Sequence, residues 1–155
     1  MARKHNVTGR SRRSSRFVML EHFVLESHAW RSLSLAARAT FIEIAQRYSP
    51  GNNGRLAMSG RMLAEALHIS RQTGIRALNQ LEERGFIELA KPSGFNMKSG
   101  RGRASEWRLT IHKCDVTGEK PSRSFLRWQD GKMHLTASSE GHTGPAGEPR
   151  SHTVQ

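Results

Sequence analysis

A single cysteine, Cys114, stands among 155 residues, so no intrachain disulfide can staple the fold and no cysteine-rich metal framework is present. That fits a reducing compartment. No apolar run approaches the ~20 residues of a membrane span. The basic start is not followed by the roughly 7–15 apolar residues of a secretory signal. A cytoplasmic, nucleoid-associated protein without membrane contact is the expectation. Catalytic vocabulary is equally sparse: there is no glycine-rich phosphate loop, no constellation of paired acids and no Cys-His cluster. His112 and Cys114 could supply two metal ligands, whereas a structural site wants four. Tyr48, the only tyrosine, falls on an apolar helix stripe and is poorly placed as a nucleophile. The chain therefore reads as a non-enzyme, with no cofactor, no metal and no small-molecule ligand.

Apolar residues are scarce too, at 35% with a mean hydropathy of −0.64. Part of the chain is therefore expected to lie outside a packed core. What is abundant is positive charge. The net charge is +12 and the pI near 11.3, which argues for a polyanionic partner. Residues 1–113 hold 20 Lys/Arg against 8 acids, while residues 114–155 hold five of each. The excess belongs to the front portion.

Residues 59–86 organise the rest. Ser59 can cap a first helix with Met62, Leu63, Ala66 and Leu67 on one face. His68 and Ile69 break the pattern. Ser70 can then cap a second helix from Arg71 to Arg84, with Gly85 where a left-handed terminating residue is wanted. Ile75, Leu78 and Leu81 form its apolar stripe. The opposite face shows Arg71, Gln72, Thr73, Arg76, Asn79 and Gln80, side chains that can reach base edges and phosphates. This is the layout of a DNA-reading helix-turn-helix. Gly74, inside the second helix, costs ~1 kcal/mol relative to alanine; it either permits close approach to the first, the favoured reading, or is simply tolerated.

Upstream, residues 1–16 hold six Lys/Arg and no acid. They read as a disordered basic arm, either a solvated tail or a grip on phosphates and the minor groove through Arg10, Arg12, Arg13 and Arg16. Residues 17–33 are dense in apolar side chains and predict an extended lead-in and a short helix. They either pack on the domain or form a homodimer contact. Ser34 opens a helix to about Tyr48, with Ala37, Phe41, Ile44, Ala45 and Tyr48 on its core face. Residues 49–54 form a turn, and residues 55–58 a short edge strand.

Downstream, residues 86–90 and 106–111 have strand character, the second alternating Trp107, Leu109 and Ile111 with polar residues. Between them the Lys91–Ser105 loop is rich in glycine. It carries Lys91, Lys98, Arg101 and Arg103 and no acid; it reads either as a flexible hairpin loop or, favoured by its charge and position, as the wing of a winged helix contacting phosphate or the minor groove. In the tail, residues 114–129 include an apolar island at 121–128 that either docks on the domain or binds a partner. Residues 130–155 read as disordered.

The matching residues Ala29-Trp30, Leu33-Ser34, Asn52-Asn53-Gly54, Leu81-Glu82-Glu83-Arg84-Gly85-Phe86-Ile87 and Glu106-Trp107-Arg108-Leu109-Thr110 extend this order of elements. The chain resembles the winged helix-turn-helix family over about residues 17–111, most of all its small bacterial, phage-type and plasmid-type members. The resemblance implies an α+β fold, a three-helix core with a small antiparallel sheet, and double-stranded DNA as partner. Such domains serve in transcriptional regulators and in replication initiators. The chain ends soon after the wing, which favours a regulator.

In this reading the helix 70–84 enters the major groove N-terminal end first. Ser70 and Thr73 meet phosphate or a thymine methyl. Gln72 and Arg76 read bases, with Arg71, Asn79 and Gln80 behind them. Ser59, Arg61, Lys98, Arg101 and Arg103 hold the backbone. Two readings compete. An RNA-binding winged helix would want exposed aromatics for stacking, and only Phe95 in the wing could serve. A protein-interaction winged helix would show an apolar rather than a basic helix face.

Overall fold

Serine punctuates this chain. Four helices start with a serine hydroxyl accepting from the backbone N–H three residues on: Ser27 from Trp30 (3.2 Å), Ser34 from Ala37 (3.2 Å), Ser59 from Met62 (3.3 Å) and Ser70 from Thr73 (3.0 Å). Each bond satisfies one of the orphan donors at a helix start. A computed structural model describes residues 16–96 and 101–130. Residues 1–15 and 131–155 lie outside the described residues, and with them nearly all of the basic arm and the far tail.

The described elements are α1 (His22–Glu26), α2 (His28–Arg31), α3 (Leu35–Ala45), β1 (Leu56–Ala57), α4 (Gly60–Leu67), α5 (Arg71–Glu83), β2 (Ile87–Lys91), β3 (Gly94–Asn96), β4 (Arg101–Arg103) and β5 (Glu106–Leu109), then a 3₁₀ turn at Ser124–Arg127. The fold is α+β. Its three-stranded antiparallel sheet has the order β1-β5-β2, and β3 and β4 pair separately. The register sets buried Leu56 against Trp107 and buried Ile87 against Leu109, whereas Leu89, opposite Trp107 on β2, is exposed. Trp107 also donates its indole N–H to the Met58 carbonyl at 3.0 Å.

The core is built on aromatic edges. Trp30, Phe41 and Phe86 contact one another edge to face, with ring centroids 5.4–5.8 Å apart. This geometry suits the aromatic quadrupole and fills space where α2, α3 and the start of β2 converge. Phe125 of the 3₁₀ turn stacks on Phe86 at 4.8 Å, and Trp128 is buried over His28 and beneath the Arg84 guanidinium. The island at 121–128 is thus docked.

Several expectations need correction. The lead-in forms two short helices, because Ser27 ends α1 and caps α2. Phe17 precedes both and is exposed. The α3 helix stops at Ala45, and Tyr48 stacks flat on His112 at 4.2 Å instead of extending the helix stripe. In α4 the exposed Ala66 is no part of the buried face. The α5 core face runs Gly74, Ala77, Leu78 and Leu81, with Ile75 only half-buried beside Gly60. Finally, the supposed wing loop contains the paired strands β3 and β4, set off by a register irregularity between Leu89 and Lys91.

Gly74 faces α4 at close range. A Cβ there would lie 2.9 Å from the Gly60 carbonyl oxygen and 3.1 Å from Leu63 Cβ. At Gly60 a Cβ would lie 2.5 Å from Ile75 Cγ1. Two glycines therefore let α4 and α5 cross backbone to backbone. His68, at φ 53°, closes α4 in the left-handed region, and Gly85, at φ 75°, releases α5 into β2.

Candidate nucleic-acid interface

At 100° per residue, Gln72, Arg76, Asn79 and Glu83 form one stripe along α5, opposite Gly74, Ala77, Leu78 and Leu81. All four of the stripe are exposed. Among the described residues no ion pair engages Arg71 or Arg76. The stripe changes sign along its length. Its first two turns carry Arg71 and Arg76, whereas its last turn carries Glu82 and Glu83, the latter 3.3 Å from Arg84. The sequence reading missed Glu83 as a member of this face, although its spacing of four from Asn79 signals it. The anion-attracting end of the stripe is its N-terminal end.

Ser70 and Thr73 stand at that end as a pair. The Ser70 hydroxyl accepts from the Thr73 N–H and lies 2.8 Å from the Thr73 hydroxyl. The helix start is thus pre-ordered, with both hydroxyls close to the positive end of the helix dipole.

Gln80 belongs elsewhere. Its amide oxygen accepts from the Ser34 backbone N–H at 3.1 Å and from the Ser34 hydroxyl at 2.7 Å. An oxygen held by two donors at the start of α3 is not free for an adenine edge, which needs both ends of the amide. Gln80, expected among the base contacts, instead ties α3 to α5 here. Beside this tie a groove of about 500 Å³ runs between the start of α3 and α5. Arg76, Asn79 and Thr73 line one wall, and Ser34 and Ala36 the other.

Backbone-holding candidates divide. Ser59 is committed to capping α4. Arg61 is exposed and paired with Glu65 at 3.3 Å, one turn further along α4. Exposed pairs of this kind contribute only about 0.2–1 kcal/mol, so a phosphate can replace the glutamate at little cost. On the ribbon, Arg103 is exposed and donates to the Pro92 carbonyl at 3.2 Å. The backbone of Arg101 pairs with Asn96 in the same ribbon. Lys98 lies outside the described residues, as do Arg10, Arg12 and Arg13. Arg16 is turned toward the protein, donating to the Gln46 carbonyl at 3.3 Å at the C-terminal end of α3. A cation is favourable there.

Behind the helices, Asn53 joins β5 to the chain that follows it. Its amide nitrogen donates to the carbonyls of Leu109 (2.9 Å), Lys113 (2.9 Å) and His112 (3.3 Å), and its oxygen accepts from the Leu109 N–H at 2.7 Å. Asp115 accepts from the Gly51 and Asn53 N–H groups. His112 sits half-buried against Tyr48. Burial holds its imidazole below the ordinary value, opposed by the carboxylates of Glu21 and Asp115. Burial raises the Cys114 thiol, but hydrogen bonding with Thr117, the Val116 backbone and Arg108 brings it below its ordinary value. Among the described residues no three His, Cys, Asp or Glu side chains group as metal ligands, and no helix is long and apolar enough to cross a membrane. No family model, curated protein or solved structure matches the chain.

Proposed function

We propose that this protein is a sequence-specific double-stranded DNA-binding protein of the winged helix-turn-helix type, acting as a transcriptional regulator and not as an enzyme. One observation carries the reading: the exposed Gln72-Arg76-Asn79 stripe, cationic and pre-capped at its N-terminal end. It lies on a helix locked by its other face to α4 and followed by a basic β-ribbon. In this reading the N-terminal half of α5 enters the major groove. Arg76 reads a guanine and Gln72 an adenine by bidentate hydrogen bonds. Arg61 and the ribbon arginines Arg101 and Arg103 hold phosphates.

Selection from a random duplex pool, followed by titration on the enriched sites, tests the reading. Arg76→Ala should cost about 1–3 kcal/mol and relax preference at one base position. Replacing Arg101 and Arg103 together should weaken all sequences alike and flatten the salt dependence. Unchanged affinity and preference in Arg76→Ala would remove its base-reading role. A pool that yields no bound duplex would refute the whole reading. Mapping of bound sites in the genome should place them at promoters; clustering at a replication origin would transfer the protein to replication initiation.

A further inference from the structure

We infer that Phe95 is an apolar wedge that enters the minor groove of duplex DNA and loosens a base step. The inference rests on the DNA-binding reading and adds a contact that charge alone would not reveal.

Phe95 is 67% exposed on β3, although an apolar side chain left in water forgoes favourable burial. Its partner across the ribbon is Gly102, and cross-strand partners share a face. Among the described residues a Cβ at Gly102 would meet nothing within 4 Å, so no side chain crosses the ribbon from that position toward the ring. Charge lies close by. Gly94 pairs with Arg103, and a Cβ at Gly94 would sit 3.7 Å from the Arg103 guanidinium. Lys91, at the base of the ribbon, is exposed. The ribbon thus has an aromatic face backed by a cationic one on its opposite side.

That pairing suits minor-groove proteins, which hold phosphates with cations and slip a single apolar side chain between base steps. A second copy of this chain fits poorly, because it would bring Lys91 and Arg103 against their own kind. A single-stranded RNA fits less well than duplex, since stacking platforms use several aromatics in succession. Phe95 is the only aromatic on β3 or β4.

The test is titration of the full chain on its selected duplex, with 2-aminopurine placed in turn at each flanking step. Wild type should brighten one step, reporting an unstacked base. Phe95→Ala should bind about tenfold more weakly, keep the wild-type salt slope and lose the brightening. Phe95→Leu, which retains a wedge, should keep the brightening. Arg103→Ala should do the reverse of Phe95→Ala, lowering the salt slope while the step still brightens. Duplex binding by Phe95→Ala that matches wild type overturns the wedge and leaves the DNA reading intact. Failure of wild type to bind any duplex overturns both. Loss confined to single-stranded oligouridylate reassigns Phe95 to RNA stacking.

Discussion

Asn53 and the outward stripe of α5 are both polar, yet they stand in opposite states. Asn53 is wholly buried, and both ends of its amide are bonded to backbone around β5. Gln72, Arg76 and Asn79 are exposed, on a helix whose other face is fully packed. The difference separates polar groups that hold the fold from polar groups left to solvent. Buried amides must be satisfied within the protein, because an orphan costs about 1–3 kcal/mol. An exposed stripe carries no such demand.

The comparison can be broken most forcefully at Asn53. Asn53→Ala should destabilise the fold by about 3 kcal/mol, because several buried backbone groups lose their partner together. Thermal melting should register this as a fall of more than about 10 °C. A loss under about 1 kcal/mol would mean that water replaces the amide. Gly74→Ala should come next. In an ordinary helix interior this change stabilises by ~1 kcal/mol; here the new methyl meets backbone at Gly60, and about 1–3 kcal/mol should be lost. Urea unfolding gives the sign directly, and a gain would deny the close crossing of α4 and α5.

A smaller effect sharpens the boundary within α5 itself. Gln80→Ala should cost about 1 kcal/mol of stability by releasing Ser34, with base preference retained. Arg76→Ala should leave stability within about 0.5 kcal/mol while changing base preference. Reversed results would exchange the roles of the two residues.

The smallest effect is in pH. Burial depresses the folded-state value of His112, so just below about pH 6.5 the unfolded chain binds a proton that the folded one resists. Stability should therefore fall as pH drops through that region. His112→Phe, which preserves the stack on Tyr48, should reduce the slope in denaturation midpoints measured between pH 7.5 and 5.5. An identical slope in the variant would place the pH dependence on other groups.

What the sequence made legible is whatever local chemistry specifies. Ser34, Ser59 and Ser70 mark helix starts because a short hydroxyl satisfies a nearby N–H, and Gly85 marks a stop because it accepts positive φ. Trp107 and Leu109 advertise a half-buried strand by alternation. The α5 stripe was legible for the same reason, apart from Glu83. Long-range partners were not. Asn53 reads as one more turn residue beside Asn52 and Gly54, since its partners at 109–113 are remote in sequence. Gln80 reads as a base contact because nothing near it announces Ser34, which lies 46 residues earlier. The β3–β4 pairing hides behind its own glycines, which signal a loop unless cross-strand register is known.

The docking of Trp128 bears on how this protein can be handled. Its ring lies 4.8 Å from the Arg84 guanidinium, at the opposite end of α5 from Ser70. Thirteen helical residues separate those ends, about 20 Å at the usual rise. A fluorophore joined just beyond Trp128 would sit against the C-terminal end of the helix that presents Gln72 and Arg76, about 12–18 Å along its axis from them. The molecule thus carries a natural handle, from which the orientation of the proposed complex on a labelled duplex can be tested as a distance.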